Sequence, residues 1–180
     1  TGVFQVVSSI STTGFAISDN NTWPLFACII TVLITVPCAM AGSTTGGIKM
    51  DRMLLMFKSV GQQVKSSMHP SSINQVHIGN HMLGNNEIYP HVVFIGLYFI
   101  TIAASMALTI LSGMDVQNSL ASSISCLSNV GPALESVGTL GNYNGIPVLA
   151  KVVFIVDMFL GRVEIYPVLA VVTMAFSGRK

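Results

Sequence analysis

The sequence predicts an all-α membrane protein organised around a pore lined by backbone carbonyl and hydroxyl oxygens. Three observations lead there. Of 180 residues, 51% are hydrophobic and 8% charged, with a mean hydropathy of +0.69, whereas a soluble domain is about 25% charged. A hydroxyl-rich run ending in glycine, Ser8-Ser9-Ile10-Ser11-Thr12-Thr13-Gly14-Phe15, has a counterpart in Ser122-Ser123-Ile124-Ser125-Cys126-Leu127-Ser128-Asn129-Val130-Gly131-Pro132. Each run is followed by an acid (Asp19, Glu135), by Trp23-Pro24 or Ile146-Pro147, and then by a long apolar segment. The first of those apolar segments is itself interrupted by Pro37 and by three glycines within residues 42–47. Repeated polar loops at membrane depth are a way to build an oxygen-lined pore.

The same composition excludes other classes. A net charge of +1 with no basic stripe argues against a nucleic-acid partner. Cys28, Cys38 and Cys126 lie in apolar runs at unrelated spacings, so they read as buried free thiols with no metal or disulfide framework. No signal peptide is visible. The chain opens at Thr1-Gly2 and enters the first hydroxyl run at once, which reads as a piece of a longer protein cut in front of a re-entrant loop.

Residues 2–10 are apolar but too short to span, since crossing about 30 Å of hydrocarbon takes about 20 helical residues. A short helix that enters and stops suits them, with residues 11–15 as its loop. Irregular backbone at that depth is tolerated only where it is buried in protein or lines a watery cavity. From Trp23 to Ile48 there is no charge. Trp23-Pro24 suits a helix start at the interface. Pro37 and the glycines then predict a break inside the membrane, because each removes or weakens a helical turn. Broken helices of this kind often mark ion sites or gates; a plain connecting loop is the bland reading.

Residues 42–49 also invite comparison with a phosphate-binding loop. That motif needs Lys and a hydroxyl directly after the last glycine, and here Gly47 is followed by Ile48, Lys49 and Met50. No strand is expected before it, and the comparison fails. Lys49, Arg52, Lys58 and Lys65, opposed only by Asp51, predict a cytoplasmic side. Asp19, Asp115 and Glu135 then fall outside, and Arg179-Lys180 return to the cytoplasm.

Residues 67–90 are the one soluble-looking segment, expected as a small cytoplasmic hairpin with a strand over residues 75–78. His69, His77, His81 and His91 read as solvated loop histidines, because a metal spacing between His77 and His81 needs a helix that the glycines oppose. Residues 92–112 are uncharged and long enough to span. Residues 116–127 repeat the short re-entrant helix, and residues 128–132 repeat its loop. Residues 138–145, rich in Gly and Asn, predict a flexible outer loop. From Ile146 to Ser177 the chain crosses back, carrying Lys151, Asp157, Arg162 and Glu164. Charges at that depth are costly and usually functional. On one helix, Asp157 and Glu164 share a face and Arg162 lies about 140–160° away. Arg162 is then either half of a buried ion pair or a cation facing a watery pathway.

Ser-Thr-Thr-Gly-Phe (11–15), Gly-Ser-Thr-Thr-Gly-Gly-Ile-Lys (42–49), Ser-Asn-Val-Gly-Pro (128–132) and Leu-Gly-Arg-Val-Glu-Ile-Tyr (160–166), in this order, resemble the membrane subunit of the Trk/Ktr potassium-uptake systems. Plant high-affinity potassium transporters belong to the same superfamily. The resemblance implies a potassium-channel-like architecture of four helix–pore-loop–helix repeats. Residues 1–66 would be the third repeat without its first helix, ending in a broken helix. Residues 67–90 would be the cytoplasmic hairpin linker and residues 91–180 the whole fourth repeat. Thr12, Thr13, Gly14 and Phe15, with Asn129, Val130, Gly131 and Pro132, would form two quarters of a selectivity filter. Gly42, Ser43, Thr44, Thr45, Gly46 and Gly47 would form the intramembrane gating loop, and Arg162 a barrier in the pore beside it.

The resemblance further implies that K+ is the transported ion, with no organic cofactor. It implies a cytoplasmic nucleotide-binding regulatory subunit, a homodimer of full-length chains, and a multi-pass position in the plasma membrane, bacterial inner membrane included. Glycine in the filter of every repeat goes with potassium in this family, and serine in the first with sodium; Gly14 and Gly131 supply glycine in two repeats, and the first is not among these residues, so the resemblance implies uptake of potassium or of potassium and sodium. An ion-coupled secondary transporter is the rival reading and needs Asp157 or Glu164 in the pathway as a coupling carboxylate. An intramembrane protease lacks partners: no second Asp lies near Asp157 and no His in the membrane.

Overall fold

A computed structural model describes residues 2–19, 22–40, 42–68, 76–78, 81–133, 137–138 and 141–176. Glu135, His69 and the C-terminal Arg179-Lys180 therefore lie outside the described residues. The order is α1 (Gly2–Ile10), α2 (Leu25–Ile34), β1 (Pro37–Cys38), β2 (Ile48–Lys49), α3 (Met50–Met68), β3 (Val76–Ile78), β4 (His81–Leu83), α4 (Asn85–Leu111), α5 (Val116–Leu127), α6 (Val148–Val163) and α7 (Ile165–Phe176). Helices dominate, with two short strand pairs: one is a hairpin within residues 67–90, where a hairpin was expected, and the other corrects the all-α reading and the expectation that no strand precedes the glycine loop. β3 and β4 form an antiparallel hairpin with Ile78 opposite His81, which puts both His77 and His81 on strands.

The second pair is built into the helix break. Pro37 cannot continue α2, and β1 runs parallel to β2 with Pro37 opposite Ile48 and Cys38 opposite Lys49. Ile48 N–H donates to the Val36 carbonyl at 3.1 Å, and Met50 N–H to the Ala39 carbonyl at 3.3 Å. Groups freed by the break are thereby paired locally, as low-dielectric surroundings demand.

Two helices differ from expectation. α4 begins at Asn85, inside the expected linker, and carries Pro90 within it. The chain from Ile146 onward is two helices, because Glu164 adopts φ 68°, ψ 153° and ends α6. Asp157 and Glu164 therefore do not share a helix face.

The packing is inverted relative to a soluble protein. α5 is wrapped by α4 and α6 and buries Ser119, Ser122, Ser123 and Ser125, while Val3, Phe26, Ile100, Leu111, Ile155 and Met174 point outward. Apolar surface outside and hydroxyls inside suit a lipid solvent, which drives no apolar residue inward. The apolar core joins α4, α5, α7 and the break through Phe94, Tyr98, Ile124, Leu127, Ile165, Val36 and Ile48. Among the described residues, one helix, Glu87–Leu111, is long and apolar enough to cross a membrane.

Candidate functional site

The two hydroxyl runs fold into the same structure twice. α1 and α5 both end where the run turns polar, and the chain then bends back on the helix it has left. Ser11 N–H bonds the Val7 carbonyl at 2.9 Å, as Ser128 N–H bonds Ile124 at 2.9 Å. Thr13 N–H reaches Ser8 at 2.9 Å, as Val130 N–H reaches Ser125 at 3.0 Å. A serine side chain closes each loop: Ser8 Oγ donates to the Phe15 carbonyl at 2.7 Å, and Ser125 Oγ to the Pro132 carbonyl at 2.6 Å. Positive φ recurs at matching positions, 52° at Thr12 and 75° at Gly14, then 58° at Asn129 and 101° at Gly131. For β-branched Thr12 that conformation is strained, and strain held in place by surrounding bonds marks a site worth its cost.

The loops also touch. A methyl group on Gly14 would overlap the Val130 carbonyl oxygen and lie 3.2 Å from Pro132 Cδ. Tyr143 donates to the Gly131 carbonyl at 2.8 Å. Below, Tyr98 of α4 shares a 2.8 Å hydrogen bond with Ser128, both fully buried.

The break lies under the second loop. A methyl on Gly46 would sit 2.6 Å from the Ser128 carbonyl and 2.9 Å from Asn129 Cβ, so only glycine allows this approach. Gly42, Ser43, Thr44, Thr45 and Gly47 line a cleft of about 390 Å³ together with Lys49, Gly161, Arg162 and Glu164. Arg162 donates to the Thr44 carbonyl. Glu164 turns away to Arg52 Nη2 at 2.8 Å, and that guanidinium also stacks 3.9 Å from the Phe94 ring centroid. Arg162 thus has neither acid as its partner and faces the loop, which decides against the buried-pair reading.

Sequence reasoning missed Lys49. Counted as part of the basic flank, it is instead buried, with Nζ 2.7 Å from the carbonyls of both Ser43 and Thr45. Its position two residues after the last glycine of the loop was the available signal. Asp157 is buried on α6 with Oδ2 unpartnered, while the Ser105 hydroxyl of α4 donates to the Thr101 carbonyl of its own helix at 2.9 Å. The three cysteines are free and buried, as read from the sequence. No cluster of metal-ligating side chains occurs among the described residues.

Fold and site together define a helical membrane protein with a duplicated oxygen-rich loop standing over a broken helix. Residues 1–178 match TrkH, the cation transport protein family, and the chain belongs to it. It is 32% identical to the Trk system potassium uptake protein TrkH of Escherichia coli K12 over 173 residues, 96% of this chain and 35% of that protein. A similar match, 32% over 174 residues, is to the Trk system potassium uptake protein TrkI of Halomonas elongata. The crystal structure of the potassium transporter TrkH from Vibrio parahaemolyticus superposes with a TM-score of 0.88 at 30% identity, covering 97% of this chain and 37% of that one. The chain thus spans about a third of the length of these relatives.

Proposed function

We propose that this chain supplies two of the four quarters of a potassium pathway, in a protein that takes up K+ across the plasma membrane. The observation that carries the reading is the loop made twice, with the same hydrogen bonds and the same alternation of backbone hand at Thr12/Gly14 and Asn129/Gly131. Alternating hand turns successive carbonyls to one side, the arrangement that replaces an ion's water shell. The carbonyls of Thr12, Thr13, Gly14, Asn129, Val130 and Gly131 are the principal ion ligands, with Phe15 and Pro132 closing the two loops; Ser8, Ser125 and Tyr143 fix the Phe15, Pro132 and Gly131 carbonyls in place and leave each a lone pair. Residues 42–47 and Arg162 form one barrier beneath them, steric and electrostatic. Each unit reads as helix, pore loop, helix: residues 1–66 supply a pore helix, a filter loop and a broken inner helix, and residues 91–180 a complete unit.

The relatives' names, Trk system potassium uptake proteins, support K+ as the ion. On this reading the chain transports rather than catalyses, sits in the lipid bilayer, and works in a homodimer of full-length chains with a cytoplasmic nucleotide-binding subunit. Replacing Gly131 by Ser in the full-length protein should relax potassium-over-sodium discrimination; unchanged selectivity in flux assays counts against the filter assignment. Residues 49–90 and the C-terminus face the cytoplasm, so a cysteine placed at 19 or 115 should react with an impermeant reagent outside intact cells and one at 65 should not. Reaction at 65 reverses the orientation. Against the rival coupled transporter, the carboxylate that lines the cleft among the described residues, Glu164, is paired with Arg52, and Asp157 is buried on α6.

A further inference from the structure

We infer that the tip of the broken-helix loop is a monovalent-cation site, filled in the resting protein by the chain's own Lys49 ammonium. Four oxygens surround Nζ: the carbonyls of Ser43 and Thr45 at 2.7 Å each, Ser43 Oγ at 3.4 Å and Thr45 Oγ1 at 3.5 Å. The hydroxyl protons point elsewhere. Ser43 Oγ spends its one proton on the Met40 carbonyl at 2.8 Å, so in the 2.7 Å contact between Ser43 and Thr45 the donor is Thr45. Both hydroxyls therefore turn lone pairs toward Nζ, and all four oxygens present negative density to one point.

That is a ligand set for a spherical cation. An ammonium is a compact point charge close to potassium in size and in preferred distance to carbonyl oxygen, and here it is carried on a tether. The site lies at the cleft that Arg162 also lines, so an ion moving along the pathway meets it. Arg162 takes the carbonyl between the two that Lys49 holds, that of Thr44, and leaves the cage itself to Lys49. The loop stays folded because a charge fills its cage. When Lys49 withdraws, a potassium ion takes its place, so the same oxygens serve as latch and as binding site. The inference rests on reading the chain as part of a cation pathway.

The test is anomalous diffraction from crystals of the full-length protein grown with rubidium. Lys49→Met, which keeps the side-chain length without the charge, should show a rubidium peak among Ser43 O, Thr45 O and the two hydroxyls. Wild type and Lys49→Arg should show none there. Lys49→Gln serves the same purpose if Lys49→Met does not fold. Rubidium at the Thr12–Gly14 and Asn129–Val130 carbonyls with an empty cage in both neutral variants overturns the inference alone. Rubidium at neither place overturns the pathway reading and the inference with it. A rubidium ion in the cage of wild type, beside Lys49, also overturns it.

Discussion

Removing the guanidinium of Arg162 tests the barrier directly. It reaches the Thr44 carbonyl across the cleft, from α6 to the loop. A cation passing about 8 Å away at an effective dielectric constant of ~20 is opposed by about 2 kcal/mol, which is about thirtyfold in a barrier-limited rate. The charged hydrogen bond to Thr44 adds about 1.5–3 kcal/mol toward keeping the loop in place. Both contributions have the same sign, so Arg162→Ala should raise flux tenfold or more on the scale of the electrostatic part alone. Arg162→Gln keeps a donor and loses the charge, and should recover the electrostatic share. Arg162→Lys keeps the charge and should stay near wild type. The assay is rubidium uptake into proteoliposomes holding the full-length protein, normalised to monodisperse folded molecules. Flux per molecule that is unchanged or lower in Arg162→Ala refutes the barrier and returns Arg162 to packing.

The Arg52–Glu164 pair ties α3 to the elbow between α6 and α7, and with one partner partly exposed its coupling should be about 1 kcal/mol. A double-mutant cycle on thermal unfolding in detergent measures it, and additive single mutants would show the two groups to be independent. Asp157→Asn should leave stability equal or higher, since it neutralises a buried oxygen that has no partner while keeping the side-chain shape. Flux should not change; a folded Asp157→Asn protein without transport would make that carboxylate an ion-coupling group.

Local chemistry made much of this legible. The ends of α1 and α5 could be read because hydroxyls and glycine follow short apolar runs, and the break because Pro37 and Gly42–Gly46–Gly47 oppose any helix. The elbow at Glu164 could not. Gly161 and Pro167 flank it, and Pro167 in the first turn of α7 was the signal passed over, but the φ 68° of Glu164 is fixed only with its bond to Arg52, far away in sequence. The start of α4 comes earlier than the sequence predicts: the helix begins at Asn85, inside the expected linker, and holds Pro90 near its start, where the Pro90 carbonyl takes the Tyr166 hydroxyl at 2.5 Å. Lys49 was read as flank because the cage that buries it exists only once the loop has folded.

The parallel pairing of β1 with β2 has a mechanical consequence. Residues 39–47 leave and return through adjacent points joined by backbone hydrogen bonds, so the two feet of the loop are one body. Met50 opens α3 immediately after the second foot, and β1 follows the end of α2 by a few residues. A displacement of α3 along its axis is carried to both feet together and shifts the strap as a unit beneath Ser128 and Asn129. The loop needs no hinge of its own. Its excursion is set by how far an amphipathic helix, which rests on the apolar core through Met53 and Met56, is pushed or pulled.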